Sequence, residues 1–237
     1  MGAYIDQRSP DDETREPLLR SPAIVNLFIL VFAAIHVVVS LLDENSQLWV
    51  LDNFAMIPEH LSVPAEQLAI TLWMRPEFTL VTYAFLHGDY VHLAFNIMWF
   101  LIFGTAVARR VGNARFVGLM FVTTIGAALT HLLIYWGSPL PVVGVSGAVS
   151  GLMGAAFRFI LPNPYAGTAW PPPPLPLFSR PVIMITVMWT LINVLLGVTG
   201  LTPDGFGAPI AWEAHLGGYL TGLVVFPLFD RRRRWQR

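Results

Sequence analysis

Six apolar runs make up most of this 237-residue chain: Pro22 to Leu42, Val91 to Ala108, Ala114 to Trp136, Ser146 to Leu161, Pro181 to Gly200 and Pro209 to Phe229. Hydrocarbon offers no water to pair with backbone N–H and C=O groups, so an apolar run of about 20 residues is held to the α-helix, which pairs them internally. The expected fold is an all-α membrane protein, a bundle of six transmembrane helices. With 55% hydrophobic and 12% charged residues, the composition does not fit a water-soluble domain around one core.

Every basic residue is arginine, and with both termini cytoplasmic thirteen of the fourteen fall inside: Arg8, Arg15, Arg20, Arg109, Arg110, Arg115, Arg158, Arg180, Arg231 to Arg234 and Arg237. Only Arg75 then lies outside, with Asp43, Glu44, Asp52, Glu59, Glu66, Glu77, Asp89, Asp204 and Glu213. The first run reads as a signal anchor that stays attached. Residues 1–20 form a cytoplasmic tail, 21–230 one membrane domain, and 231–237 a basic tail whose arginines meet anionic lipid rather than nucleic acid. Asp43 to Tyr90 is expected to form short interfacial helices, and Pro162 to Pro181, with its run Pro171 to Pro174, an extended cytoplasmic connector that only links. The chain has no cysteine, which removes disulfide and thiolate chemistry.

The fourth run opens on Gly144-Val145-Ser146-Gly147-Ala148-Val149-Ser150-Gly151-Leu152-Met153-Gly154. Glycine costs about 1 kcal/mol against alanine in a helix interior, and a hydroxyl gains nothing from lipid. Ser146 to Leu161 also covers only about 24 Å of a hydrocarbon core of about 30 Å, so its outer end is predicted to begin below the membrane surface. Pro139 to Val145 then dips inward as non-helical backbone, packed on protein or lining a water-filled cavity. Ser146, submerged yet hydrated, is the candidate nucleophile.

A serine nucleophile needs a base, and the histidines are His36, His60, His87, His92, His131 and His215. His215 lies beside Ala214, Gly218 and Gly222, small residues repeating every four positions, and Gly147, Gly151, Ser150 and Gly154 do the same on the fourth run. Two such faces let helix backbones touch and bring imidazole to hydroxyl. Small-residue faces also serve packing alone, but a histidine within a span is rare and costly. His92 and Asn96 share one face of the second run near its outer end, and both can donate hydrogen bonds to an anion. Acyl transfer passes through a tetrahedral oxyanion, where one prearranged donor is worth about 3 to 4 kcal/mol. Bridging helices or binding water is the other role open to this pair. No Asp or Glu is expected inside any span, which disfavours a paired-aspartate protease and a carboxylate-driven transporter, and HExxH is absent. Glu213, two residues from His215, points elsewhere on a helix, which leaves a Ser-His dyad.

The three ordered motifs HxxxxHLxxN, GxSG and AHxxGxxxG, spread from His87 to Gly222, resemble those of the rhomboid intramembrane serine proteases. The resemblance implies a six-transmembrane-helix rhomboid-like bundle, hydrolysis of peptide bonds in or near transmembrane segments of protein substrates in the lipid bilayer, and no cofactor. It implies Ser146 as nucleophile, His215 as general base and then acid, and His92, Asn96 and the Ser146 N–H at the oxyanion, with His87 in a supporting role. It implies no oligomeric state. Two departures stand out: Ser150 where many relatives carry an aromatic residue packed on the imidazole, and Trp73-Met74-Arg75 where an adjacent Trp-Arg pair is common. A catalytically silent rhomboid-like protein that binds membrane clients is the alternative, and a channel or transporter a poorer third. The all-arginine usage and compact form point to a bacterial inner membrane.

Overall fold

The computed structural model describes residues 21–64, 75–164, 167, 172–200 and 211–230; the two tails, Trp73, Met74, Pro209 and Ile210 lie outside the described residues. All six apolar runs contain helix. The first is α1 (Ala23–Ser40); α2 (Glu44–Phe54), α3 (Pro58–Ser62) and α4 (Thr79–Thr82) follow as short helices between the first and second runs. The second run forms α5 (Tyr90–Trp99), a π-type turn over Phe100–Gly104 and α6 (Thr105–Val111). Then come α7 (Asn113–Ile134), α8 (Ser146–Ile160), α9 (Arg180–Thr199) and α10 (Trp212–Phe229). Helices Ala23–Ser40, Tyr90–Val111, Asn113–Ile134 and Arg180–Thr199 are long and apolar enough to cross a membrane, whereas α8 has only 15 residues. The chain is an all-α integral membrane protein.

Helices α7, α8 and α10 form the centre, and glycine lets them approach. A Cβ on Gly218 or Gly222 would overlap the carbonyl oxygens of Gly147 and Gly151, so the backbones of α8 and α10 lie in direct contact. On the other side of α10, Gly217 faces Thr130 and Thr221 faces Gly126, which sets α7 equally close. Leu119, Met120, Leu152, Ala155, Ala156 and Phe226 fill the space below.

The outer helices hold on by narrow stripes. From α1, Phe28 and Phe32 meet Phe100 and Phe116, with ring centroids 5.4 to 6.3 Å apart. Helix α9 faces α10 through Thr186, Trp189, Asn193 and Gly197, whose spacing keeps them on one face. Its remaining side chains are largely exposed to the lipid side, among them Met184, Leu191 and Leu195.

The connector between α8 and α9 does more than link. Leu175 is completely buried, its N–H donates to the Arg158 carbonyl at 2.6 Å, and its own carbonyl accepts from Arg158 Nε at 2.7 Å. Arg158 is itself buried and also donates to the Leu223 carbonyl at 2.6 Å. A guanidinium taken out of water needs acceptors, and proline-rich backbone supplies unused carbonyls. Pro172 accepts from Arg110 at 3.0 Å and Pro173 from Asn163 at 2.7 Å. Arg110 also pairs with Asp230 at 2.6 Å, closing that end of the bundle.

Candidate active site

Ser146 is the first residue of α8, and the backbone before it is non-helical. Met56 and Val142 exchange N–H to carbonyl bonds of 3.1 and 2.9 Å, and the Gly144 N–H donates to the Tyr83 carbonyl at 3.0 Å. The Tyr83 hydroxyl reaches across to donate to the Thr124 carbonyl at 3.0 Å. The segment is thus packed against protein, and Ser146 emerges half-buried between the buried Val145 and Gly147.

The close fit of α8 and α10 brings Ser146 Oγ to 2.8 Å from His215 Nε2. His215 enters from the first turn of α10, and its other ring nitrogen, Nδ1, lies 3.1 Å from Asn193 Oδ1 on α9. Asn193 Nδ2 in turn donates to the Trp212 carbonyl at 2.7 Å. Asn193 is a site residue that the motifs do not contain. The signal for it was a lone amide in the apolar run Pro181 to Gly200, since a polar side chain in a span needs partners within the protein.

His92 and Asn96 come to the same place from α5. Asp89 caps that helix by accepting from the His92 N–H at 2.8 Å. The Gly88 N–H donates to His92 Nδ1 at 3.4 Å, so in the neutral ring Nε2 carries the proton. Both side chains press on Gly144: a Cβ there would stand 2.9 Å from His92 Nε2 and 3.8 Å from Asn96 Nδ2. Gly144 has φ of 114°, a conformation that glycine adopts without strain. Asn96 is buried and donates one Nδ2 hydrogen to the His92 carbonyl at 3.0 Å, leaving its second hydrogen for another acceptor. His87 packs edge-on against His92, with centroids 5.4 Å apart, behind this pair.

Glu213 differs from its expected place. It is not an outer-loop acid but a buried residue of α10, with Oε1 2.5 Å from His131 Nδ1 on α7. Two residues along a helix is about 200° of rotation, so Glu213 faces α7 while His215 faces α8 and α9. A carboxylate does therefore enter the bundle, satisfied by His131 and turned away from His215. Ser150 is buried on α8, and the imidazole finds its support on α9 instead.

The Rhomboid domain family matches residues 73–232. The rhomboid protease GlpG of Klebsiella pneumoniae subsp. pneumoniae is 28% identical over 144 residues, 61% of this chain and 45% of its own length. The Salmonella paratyphi A rhomboid protease GlpG is 27% identical over the same extent. The chain thus aligns with less than half the length of these curated relatives. With its family match reaching from residue 73 through α10 and taking in both Ser146 and His215, the chain belongs to the rhomboid family.

Proposed function

We propose that this protein is an intramembrane serine endopeptidase that cleaves single-span membrane proteins in or near their transmembrane segments. The observation that carries the reading is the 2.8 Å contact between Ser146 Oγ and His215 Nε2 at one end of a membrane bundle. Outside a helix interior, a half-buried hydroxyl hydrogen-bonded to a lone-pair nitrogen is primed to attack a carbonyl. His215 Nε2 takes the Ser146 proton as Oγ bonds to the scissile carbon, then returns it to the leaving amine; water repeats the cycle to release the acyl group. Negative charge collects on the former carbonyl oxygen, for which we assign the N–H groups of the α8 N-terminus, His92 Nε2–H and the second Asn96 hydrogen as donors.

A peptide bond must leave its helix to reach Ser146, so segments rich in small, helix-destabilising residues are the expected substrates. The arginine distribution supports a topology with both termini in the cytoplasm and the Ser146 end of the bundle at the outer face. The test is cleavage of a single-span test substrate by protein reconstituted in bilayers. Ser146→Ala and His215→Ala are expected to lose activity by at least about 10³-fold. Persistent cleavage by Ser146→Ala would exclude the nucleophile, and undiminished cleavage by His215→Ala would exclude the dyad.

A further inference from the structure

We propose that Asn193 is the positioning residue of the His215 imidazole, its side-chain oxygen deciding which ring nitrogen carries the proton and so turning the basic nitrogen toward Ser146. The proposal rests on the protease reading above and deepens it. A carbonyl can only accept, so the Asn193 group 2.7 Å from the Trp212 oxygen is the NH2. The amide oxygen therefore faces His215 Nδ1, at 3.1 Å, and an amide oxygen can only accept as well. Nδ1 must hold the hydrogen. A neutral imidazole has one, so Nε2 presents its lone pair to Ser146 Oγ at 2.8 Å. In the opposite tautomer Nε2–H would point at the hydroxyl, and the ring could not take the serine proton there.

The setting favours this role over simple packing. Asn193 is buried on the stripe of α9 that otherwise meets α10 through Thr186, Trp189 and Gly197, and an apolar side chain at this position would pack without any polar group to satisfy. Both of its bonds go to the first turn of α10. The amide thus clamps the His215 ring relative to the backbone that carries it. Among the described residues, Ser146 and Asn193 are the two hydrogen-bond partners of the His215 side chain.

The test compares wild type, Asn193→Leu, Asn193→Asp and Ser146→Ala as full-length protein in bilayers. It reads the labelling rate with a small fluorophosphonate per folded molecule, kcat and KM on a single-span test substrate, and the thermal unfolding midpoint. Asn193→Leu is expected to label at least about tenfold more slowly and to lose kcat by a similar factor, with KM within about twofold of wild type. Asn193→Asp keeps an oxygen for Nδ1 but has no NH2 for Trp212, and is expected to label within about threefold of wild type. A role confined to the Trp212 bond would make the two variants equally slow, and one confined to packing would let Asn193→Leu, close in volume, label like wild type. Wild-type labelling by Asn193→Leu, or an Asn193→Asp rate as low as that of Asn193→Leu, overturns the proposal. Should Asn193→Leu not fold, the rate of Asn193→Asp relative to wild type decides alone. Failure of the protease reading has a different signature: wild type stays unlabelled, or Ser146→Ala still cleaves.

Discussion

Within the first turn of α10, Glu213 and His215 stand two residues apart and serve different neighbours. The Glu213–His131 contact ties α10 to α7, and the pair is almost wholly removed from solvent. Removing one partner strands the other without a hydrogen bond, so His131→Leu is expected to lower stability by about 2 kcal/mol, measured by unfolding in lipid bicelles. The double substitution His131→Leu with Glu213→Leu should recover part of that loss, because no polar group is then left unpaired. With Glu213→Leu measured alone to complete the cycle, a double-variant loss equal to the sum of the two single losses would show that the contact itself contributes nothing. From the sequence alone Glu213 reads as one of the outer-segment acids that agree with the arginine distribution. Its partner lies 82 residues away on another helix, beyond the reach of local spacing. Asn193 escaped for the same reason: one amide in an apolar run becomes informative only when α9 is laid against α10.

Local pattern carries further at the level of the helix. Small residues every four positions on the fourth and sixth runs announced two faces meeting closely, and Gly147, Gly151, Gly218 and Gly222 do meet there. The prediction follows from which glycines have room. Gly222→Ala places a methyl into the Gly151 carbonyl, where neither backbone can yield, and is expected to cost about 2 kcal/mol and to reduce cleavage by separating Ser146 from His215. Gly104→Ala meets only the rings of Phe116 and Phe100 at ordinary distances of 3.6 and 3.7 Å, and should stabilise the helix by about 0.5 to 1 kcal/mol with cleavage unchanged. Thermal unfolding with a cleavage assay separates the two; equal effects would mean that α8 and α10 are not in backbone contact. The connector after α8 was less legible. Its prolines announce a lack of helix, but not that Leu175 would be buried or that two arginines would claim its carbonyls.

For the molecule as a whole, the apolar runs gave the helices, a property summed over many residues, and the arginine count proposes a direction on the same footing. Orientation is open to a clean measurement because the native chain has no cysteine. Arg75→Cys, on an exposed outer segment, is expected to react with a membrane-impermeant maleimide on intact cells, and Arg109→Cys only after permeabilisation. The reverse pattern would invert the topology and put Ser146 at the cytoplasmic face. Among the described residues four helices meet the length and hydropathy of a span outright, while α8 has only 15 residues and begins at Ser146, at one end of the bundle. The central claim is that this end houses a serine activated by a histidine. Its most direct measurement is mass spectrometry of the bilayer-reconstituted protein after exposure to a fluorophosphonate. The account predicts a single adduct on Ser146, formed in wild type and abolished in His215→Ala; an adduct on another residue, or one that forms on Ser146 equally fast without His215, would contradict it.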